Sequence, residues 1–154
     1  MARETKHPTP VRALAGEVWR TLLAFLIASS DEHRRALDEL GLTPGDMKAF
    51  LVLQPDEPKS MGELAGTWAC DASNATWMVD RLEERGWVER RPKPGDRRVK
   101  TVVLTPDGEK MKTLLLERIS EPPDSLLDLD GDALEQIRDA LALLPPAPPI
   151  GSAH

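Results

Sequence analysis

Residues 60–104 read SMGELAGTWACDASNATWMVDRLEERGWVERRPKPGDRRVKTVVL, and this stretch decides the fold. It begins with Ser60 and, three residues later, Glu63, a capping box that is typical of a helix start. Asp71 is predicted to be the N-cap of a second helix over residues 72–85. Two capped helices separated by a tight turn predict a helix-turn-helix.

Two strands joined by a turn are predicted after the second helix. Residues 87–91 and 99–104 have the composition of strands, and the second stretch alternates between two faces. Pro94-Gly95 lies between them and predicts a turn. A β-hairpin directly after a helix-turn-helix is a wing. The sequence therefore predicts a winged helix-turn-helix lobe over residues 43–105.

Helices are also predicted upstream of this lobe. Residues 11–35 predict one long helix, because apolar side chains recur along it at spacings of three and four. A short element is expected at residues 36–40, and Thr43 predicts the cap of a helix that ends near Leu53. The apolar stripe of the first helix is wide for one small domain to cover. It implies a partner helix, with another subunit as one source.

Downstream of the wing, Thr105-Pro106 predicts the start of a helix that stops at Pro122-Pro123. A last amphipathic helix is predicted near residues 132–144. Terminal helices without a core of their own are covered economically by packing against a symmetry mate. The predicted fold class is mainly α with a small β-hairpin wing (α+β): a winged helix-turn-helix domain flanked by N- and C-terminal dimerisation helices.

The predicted organisation has five parts. In chain order they are a flexible N-terminus (1–10), N-terminal dimerisation helices (11–42), the DNA-binding lobe (43–105), C-terminal helices that complete the dimer interface (106–144) and a proline-rich tail (145–154). The sequence has no apolar run of about 18 residues, so no membrane association is expected. A polar N-terminus without a secretory pattern makes the cytoplasm the expected compartment. A single cysteine, Cys70, excludes an internal disulfide, and no cofactor or metal is expected.

Charge is distributed unevenly along the chain. The net charge of −6 argues against nucleic acid when it is taken alone. Residues 89–100, however, contain six basic and two acidic residues (+4), whereas residues 117–154 contain eight acidic residues and two arginines (−6). Charges within roughly 8–10 Å, one Debye length, dominate phosphate binding, so a basic hairpin on an acidic protein can bind DNA. A merely solvated hairpin is the alternative.

The second helix of a helix-turn-helix enters the major groove with its N-terminal residues. Its core-facing residues are expected to be Ala75, Val79 and Leu82, with Ala72 and Met78 beside them. The side left for solvent or DNA comprises Ser73, Asn74, Thr76, Trp77, Asp80 and Arg81. Serine, threonine and asparagine can bond to base edges or phosphates. Trp77 is expected either to contact sugars or thymine methyls or to pack on its own domain.

The hairpin supplies the remaining candidate contacts. An arginine at a hairpin tip, such as Arg97 or Arg98, can enter a narrow, electronegative minor groove. Asp96 is expected to orient an arginine through a charge-assisted hydrogen bond, with an ordinary surface ion pair as the alternative. The set of candidate DNA-binding residues is completed by Lys93, Lys100 and, at the start of the first helix, Ser60.

The wing and the helix that follows it resemble those of the multiple-antibiotic-resistance regulator (MarR) family. Asp96-x-Arg98, followed after five residues by Leu104-Thr105-x-x-Gly108, resembles the signature of this family. Residues 82–90 resemble its recognition-helix exit, and the likeness extends over residues 11–144.

The resemblance implies a transcription regulator, of the repressor type, that binds a pseudo-palindromic operator as a homodimer. Arg98 would enter the minor groove, with Asp96 as its orienting partner. Many family members respond to small aromatic ligands, so such an effector is expected, although its site is unknown. Trp77 stands where the family often has a basic residue, and Cys70 is expected to have a structural role.

The sequence also bears on two other classes of function, an interaction module and an enzyme. A winged-helix protein-interaction module without sequence-specific DNA binding is the alternative, motivated by the acidic net charge and by Trp77. An enzyme is not expected, because the sequence has no Ser-His-Asp order, no phosphate-binding glycine loop and no spaced metal ligands. Trp19, Phe25 and Trp68 are expected to line a ligand cleft or to belong to the core.

Overall fold

The computed structural model describes residues 9–93 and 95–145, without the side chain of Arg97. Its helices are α1 (Thr9–Ala28), α2 (Ser30–Glu39), α3 (Pro44–Val52), α4 (Met61–Trp68), α5 (Ala72–Glu84), α6 (Pro106–Ile119), α7 (Asp124–Leu127) and α8 (Gly131–Ala142). Its strands are β1 (Lys59–Ser60), β2 (Val88–Lys93) and β3 (Asp96–Leu104). Contacts divide the chain between Arg35 and Ala36 into two compact units. A mainly helical fold with a small sheet is thus confirmed.

The long helix predicted over residues 11–35 is wrong, because a turn at Ser29 separates α1 from α2. The hydroxyl of Ser29 donates to the carbonyl of Phe25 at 2.9 Å, and that of Ser30 donates to the carbonyl of Ile27 at 2.6 Å. Serine side chains that bond to the preceding turn in this way compete with regular helix hydrogen bonds and bend helices. The element predicted at residues 36–40 is the end of α2.

The helix starts predicted from capping residues are confirmed. Thr43 caps α3 and forms a capping box with Asp46, while Ser60 caps α4 and forms one with Glu63. Asp71 caps α5 through a 2.8 Å hydrogen bond from the amide of Asn74. Each cap satisfies amides that would otherwise lack a partner in the first helical turn, which is why these local signals predict helix starts well.

The sheet has three antiparallel strands in the order β1-β3-β2, so the predicted two-stranded hairpin is incomplete. The missing strand, β1, is only two residues long and pairs Lys59 with Val102. The hairpin also extends farther than predicted, since its register runs from the pair Val88–Leu104 to the pair Lys93–Asp96. Gly95 has a φ of 85° at the turn, and Pro94 lies outside the described residues.

The core of the second unit contains residues from the helix-turn-helix, the sheet and α6. Ala75, Val79 and Leu82 of α5 are fully buried, as predicted, whereas Ala72 is exposed and its expected inward position is wrong. Trp68 is 1% exposed and therefore belongs to the core rather than to an open cleft. Cys70 is half-buried and packs against this core.

One feature of the C-terminal segment differs from its prediction. The short helix α7 follows Pro122-Pro123, where only an interruption was expected. In the helix α8, as in α1, no residue is buried within the single chain. None of the helices in the described ranges combines the length and apolarity needed to cross a membrane.

At Gly108, α6 lies against the backbone of Trp87, the residue before β2. A Cβ atom at this position would lie 1.9 Å from the carbonyl oxygen of Trp87. That carbonyl also accepts a 3.0 Å hydrogen bond from the amide of Thr105, while the hydroxyl of Thr105 donates to the carbonyl of Gly86 at 2.6 Å. The glycine of the wing-to-helix signature is thus required by space, because backbone occupies the place of a side chain.

We expect Gly108→Ala to lower the free energy of unfolding by at least about 1–3 kcal/mol, the usual cost of overpacking. Trp87 cannot retreat without losing its hydrogen bond to Thr105. Gly66→Ala in α4 is the matched control, because a Cβ atom at that position would have no neighbour within 4 Å. That change should be neutral or stabilising by up to about 1 kcal/mol. Chemical denaturation at one protein concentration measures both, and equal stabilities of the two variants would contradict this account.

Candidate nucleic-acid interface

The polar residues on the exposed face of α5 begin at Ser73, two residues after the cap Asp71. Ser73, Asn74, Thr76 and Trp77 are all exposed, and 58% of the surface of Trp77 is accessible. The hydroxyl of Thr76 donates to the carbonyl of Ala72 at 2.8 Å, so its single hydrogen is used within the helix. Within the described part of the chain, Ser73 and Asn74 have no side-chain hydrogen bond. They can donate to a base or a phosphate, as can the indole N–H of the exposed Trp77.

Arg81 was expected on the DNA side, but the structure gives its side chain a different environment. Its Nη2 donates to the hydroxyl of Thr43 at 2.8 Å and forms an ion pair with Asp46. The side chain of Asp46 is 5% exposed and that of Arg81 is 24% exposed. Arg81 therefore connects α5 to the cap of α3. Its partner lies 35 residues away in sequence, too far for any local pattern to reveal.

Arg90 connects the wing to α5. Its guanidinium forms ion pairs with Asp80 and Glu83, and its backbone amide donates to Glu83 at 3.2 Å. Sequence reasoning counted Arg90 only as part of the basic run. The i,i+3 spacing of Asp80 and Glu83 places two carboxylates on one face of a helix, a signal that could have suggested a shared cation.

The positive charge available to a ligand is smaller than the sequence suggests. Arg90 is neutralised by its two carboxylates, and Arg91 forms an ion pair with Glu89. In the part of the chain that the structure describes, no ion pair involves Lys93, Arg98 or Lys100, and these side chains are exposed. The side chain of Arg97 lies outside the described residues. The remaining cations lie near the tip and along β3.

Asp96 orients the hairpin tip through the backbone. Its carboxylate accepts a 3.0 Å hydrogen bond from the amide of Arg98, and an expected bond from the side chain of Arg97 would lie outside the described residues. Because both residues belong to β3 beside the turn, this contact fixes the local backbone and leaves the guanidinium of Arg98 exposed. The structure therefore assigns Asp96 a positioning role at the tip.

Ser60 is engaged in the cap of α4. Its hydroxyl donates to the carboxylate of Glu63 at 2.6 Å, and its amide donates to the same oxygen at 2.7 Å. These hydrogen bonds, aided by the charges of Lys93 and Lys59, hold the pKa of Glu63 below its usual value. The charge of Lys93 therefore acts close to the start of α4. Ser60 supports this helix start and has no hydrogen left to donate to a phosphate.

A helix-turn-helix whose second helix, α5, has exposed polar residues at its N-terminus, followed by a β-hairpin with exposed cations, defines a winged helix-turn-helix protein. The family model described as MarR family matches residues 42–100. The HTH-type transcriptional regulator YcgE of Bacillus subtilis (strain 168) is 34% identical over 106 residues, which cover 68% of this chain and 69% of the relative. The chain belongs to the MarR family of transcriptional regulators.

Solved structures share this fold. Transcriptional regulator Tm0710 from Thermotoga maritima superposes with a TM-score of 0.69 at 29% identity, over 82% of this chain and 90% of that one. A single-residue mutant of MepR from S. aureus, bound to an oligodeoxyribonucleotide, gives a TM-score of 0.63 at 17% identity, over 83% and 93% of the two chains. The second likeness is one of fold alone.

We expect Asp46→Ala to lower the free energy of unfolding by about 2–4 kcal/mol, because Arg81 loses its buried partner and α3 loses half of its capping box. Asp107→Ala is the matched control, since Asp107 also lies in the first turn of a capped helix. Its ion pair with Lys110 is largely solvated and is expected to contribute only about 0–1 kcal/mol. Denaturant titration compares the two variants, and a cost for Asp46→Ala no larger than the control would refute a stabilising role of the pair.

Proposed function

We propose that this chain is a DNA-binding transcription repressor that acts as a homodimer on a pseudo-palindromic operator in the cytoplasm. The observation that carries the proposal is the fixed relation between α5 and the wing. Arg90 joins them, so the exposed Ser73 and Asn74 are held relative to the exposed Arg98. A helix lead in the major groove and an arginine in the adjacent minor groove would use both parts at once.

Local electrostatics support DNA as the ligand despite the net charge of −6. Lys93, Arg98 and Lys100 are exposed on one short hairpin, whereas the acidic side chains of Glu89, Asp80 and Glu83 are paired with arginines. Binding to phosphate depends on charges within a Debye length, so distant acidic residues are screened at physiological salt. MepR, a protein of the same fold, has been solved bound to an oligodeoxyribonucleotide, which supports the same class of ligand here.

Exposed apolar faces on two helices support the homodimer. On α1 the exposed large apolar residues are Val11, Leu14, Val18, Trp19, Leu23, Leu26 and Ile27. On α8 they are Leu134, Ile137 and Leu141. An apolar helix face that one chain leaves exposed supports an interaction site on each of the two helices. A two-fold dimer would present two copies of α5, and half-sites about 10–10.5 base pairs apart would match their spacing.

The most specific part of the proposal is that a small aromatic ligand releases the protein from DNA. The family resemblance supports this part. Trp68 is excluded as a lining residue because it is buried in the core. Trp19 of α1 is 60% exposed and Phe25 is half-buried, so both remain candidates. Titration of a protein–DNA complex with phenolic acids is expected to dissociate it, and an unchanged complex at saturating ligand would remove this part alone.

A protein-interaction module is the second candidate, and the exposed indole of Trp77 is the observation that favours it. The two candidates differ in what the purified protein selects. A DNA regulator enriches particular duplexes from a random pool, whereas an interaction module enriches none and instead forms a stoichiometric complex with another protein.

We expect binding to duplex DNA to weaken with salt, with a slope in log affinity of about −0.9 for each phosphate neutralised. Arg98→Ala should weaken binding about thirtyfold or more, because a dimer loses two groove contacts of roughly 1–3 kcal/mol each. Fluorescence anisotropy with a duplex selected by the wild-type protein measures both effects.

Lys110→Ala is the matched control for the loss of one positive charge. Lys110 lies in the first turns of α6, at the base of the hairpin rather than at its tip, and it is largely exposed. Its removal should change affinity by less than about twofold, as expected for a charge that contacts no phosphate. Equal losses in the two variants, or an affinity independent of salt, would contradict the proposed binding surface.

A further inference from the structure

We infer that Trp77 determines sequence preference by packing its indole against the 5-methyl group of a thymine in the major groove. The inference rests on the proposed DNA-binding function and concerns the same surface. It assigns an apolar contact to Trp77, which lies one helical turn after the polar residues Ser73 and Asn74. Arg81, which does not reach the DNA in this account, acts as a positioning residue for that contact.

Trp77 contributes little to the core of its own unit. Trp68 is 1% exposed, and Trp87 is half-buried with its ring centroid 5.5 Å from that of Phe50. Trp77, by contrast, is 58% exposed, although Val79, two residues later on the same helix, is fully buried. Burying a large exposed aromatic surface against a ligand is favourable, and the indole lies on the same exposed face of α5 as Ser73 and Asn74.

The surface around Trp77 is open and less polar than the sequence suggests. Trp77 lies on an open face of α5 together with Ala72, Ser73, Thr76 and Asp80. The hydroxyl hydrogen of Thr76 is bonded to the carbonyl of Ala72, and the carboxylate of Asp80 is paired with Arg90. The methyl of Thr76, the indole of Trp77 and the side chain of Ala72 are therefore the apolar groups available for contact on this face, beside two donors, the hydroxyl of Ser73 and the indole N–H of Trp77.

Arg81 supports the indole from within the same helix. Its guanidinium carbon lies 5.4 Å from the centroid of the Trp77 ring, within the range of a cation–π interaction. The same guanidinium is anchored to Asp46 and Thr43. Because this anchor is largely buried, the indole rests on a fixed support. A side chain that is already positioned loses less conformational entropy on binding.

Thymine is the base whose major-groove edge matches this surface. Each base pair presents hydrogen-bonding groups in the major groove, but only thymine adds an apolar group, its 5-methyl. Ser73 and Asn74 in the preceding turn supply the polar contacts to neighbouring positions. The expected preference at the position facing Trp77 is therefore T·A over C·G, in both half-sites of the operator.

The test removes the methyl group and nothing else. Duplexes are first selected from a random pool by the wild-type protein, and each thymine is then replaced in turn by deoxyuridine. We expect one position in each half-site at which the replacement weakens wild-type binding about fourfold, as for the loss of one buried methyl. Trp77→Ala should bind the thymine and deoxyuridine duplexes equally at that position.

Two further variants separate the contact from its support. Ser73→Ala, the polar neighbour, should bind more weakly while keeping the fourfold discrimination. Arg81→Met removes the cationic support but keeps an unbranched side chain, and it should reduce the discrimination. Circular dichroism and denaturant titration on each variant establish that it is folded.

The outcomes distinguish the inference from the function on which it rests. If the wild-type protein selects duplexes but no thymine methyl contributes to affinity, or if the discrimination persists in Trp77→Ala, the thymine contact is overturned and DNA binding stands. If the protein selects no duplex at all, the proposed function fails and the inference fails with it.

Discussion

The ion pairs that Arg90 forms with Asp80 and Glu83 are the constraint on which the proposed reading surface depends. They join β2 to α5, so the hairpin tip cannot swing freely relative to the exposed helix lead. The carboxylates are substantially exposed, and each such ion pair contributes only about 0–1 kcal/mol to stability. They therefore act together with the core that Val79, Leu82 and Val88 share, which packs the base of the hairpin against α5, and this pre-organisation lowers the entropy lost on binding.

The same helix and the hairpin are fixed at two further points. Arg81 connects α5 to the capping box of α3, and Gly108 lets α6 approach the carbonyl of Trp87 at the base of the hairpin. The helix-turn-helix, the wing and the first C-terminal helix are thus joined by specific contacts as well as by the shared core. The buried pair of Asp46 and Arg81 has the larger energetic role, since desolvated charges are costly to leave without a partner.

Features set by neighbouring residues could be predicted from the sequence, and features set by distant partners could not. Thr43, Ser60 and Asp71 predicted three helix starts, because a cap involves only the next three residues. The pairing of Arg81 with a residue 35 positions away could not be predicted, and Arg81 was therefore placed on the DNA side. Strand β1 was missed because two residues carry no periodicity, and the bend at Ser29 was hidden by a continuous apolar stripe.

Membership of the MarR family explains the wing signature. It does not explain Trp77, which stands where the family resemblance predicts a basic residue. The glycine of the signature is explained by a backbone contact, and the aspartate by a hydrogen bond to the amide of Arg98. Trp77 has no such structural explanation, since it is exposed and rests on an anchored arginine. The fold thus accounts for the signature residues Gly108 and Asp96, whereas the exposed position of Trp77 is accounted for by the proposed contact with DNA.

The central claim is that α5 and the hairpin tip contact adjacent grooves of one duplex at the same time. Dimethyl sulfate tests it directly, because it methylates guanine N7 in the major groove and adenine N3 in the minor groove. On a selected duplex, the account predicts protected guanines next to protected adenines, repeated with two-fold symmetry about one helical turn away. Protection confined to one groove, or none, would contradict it.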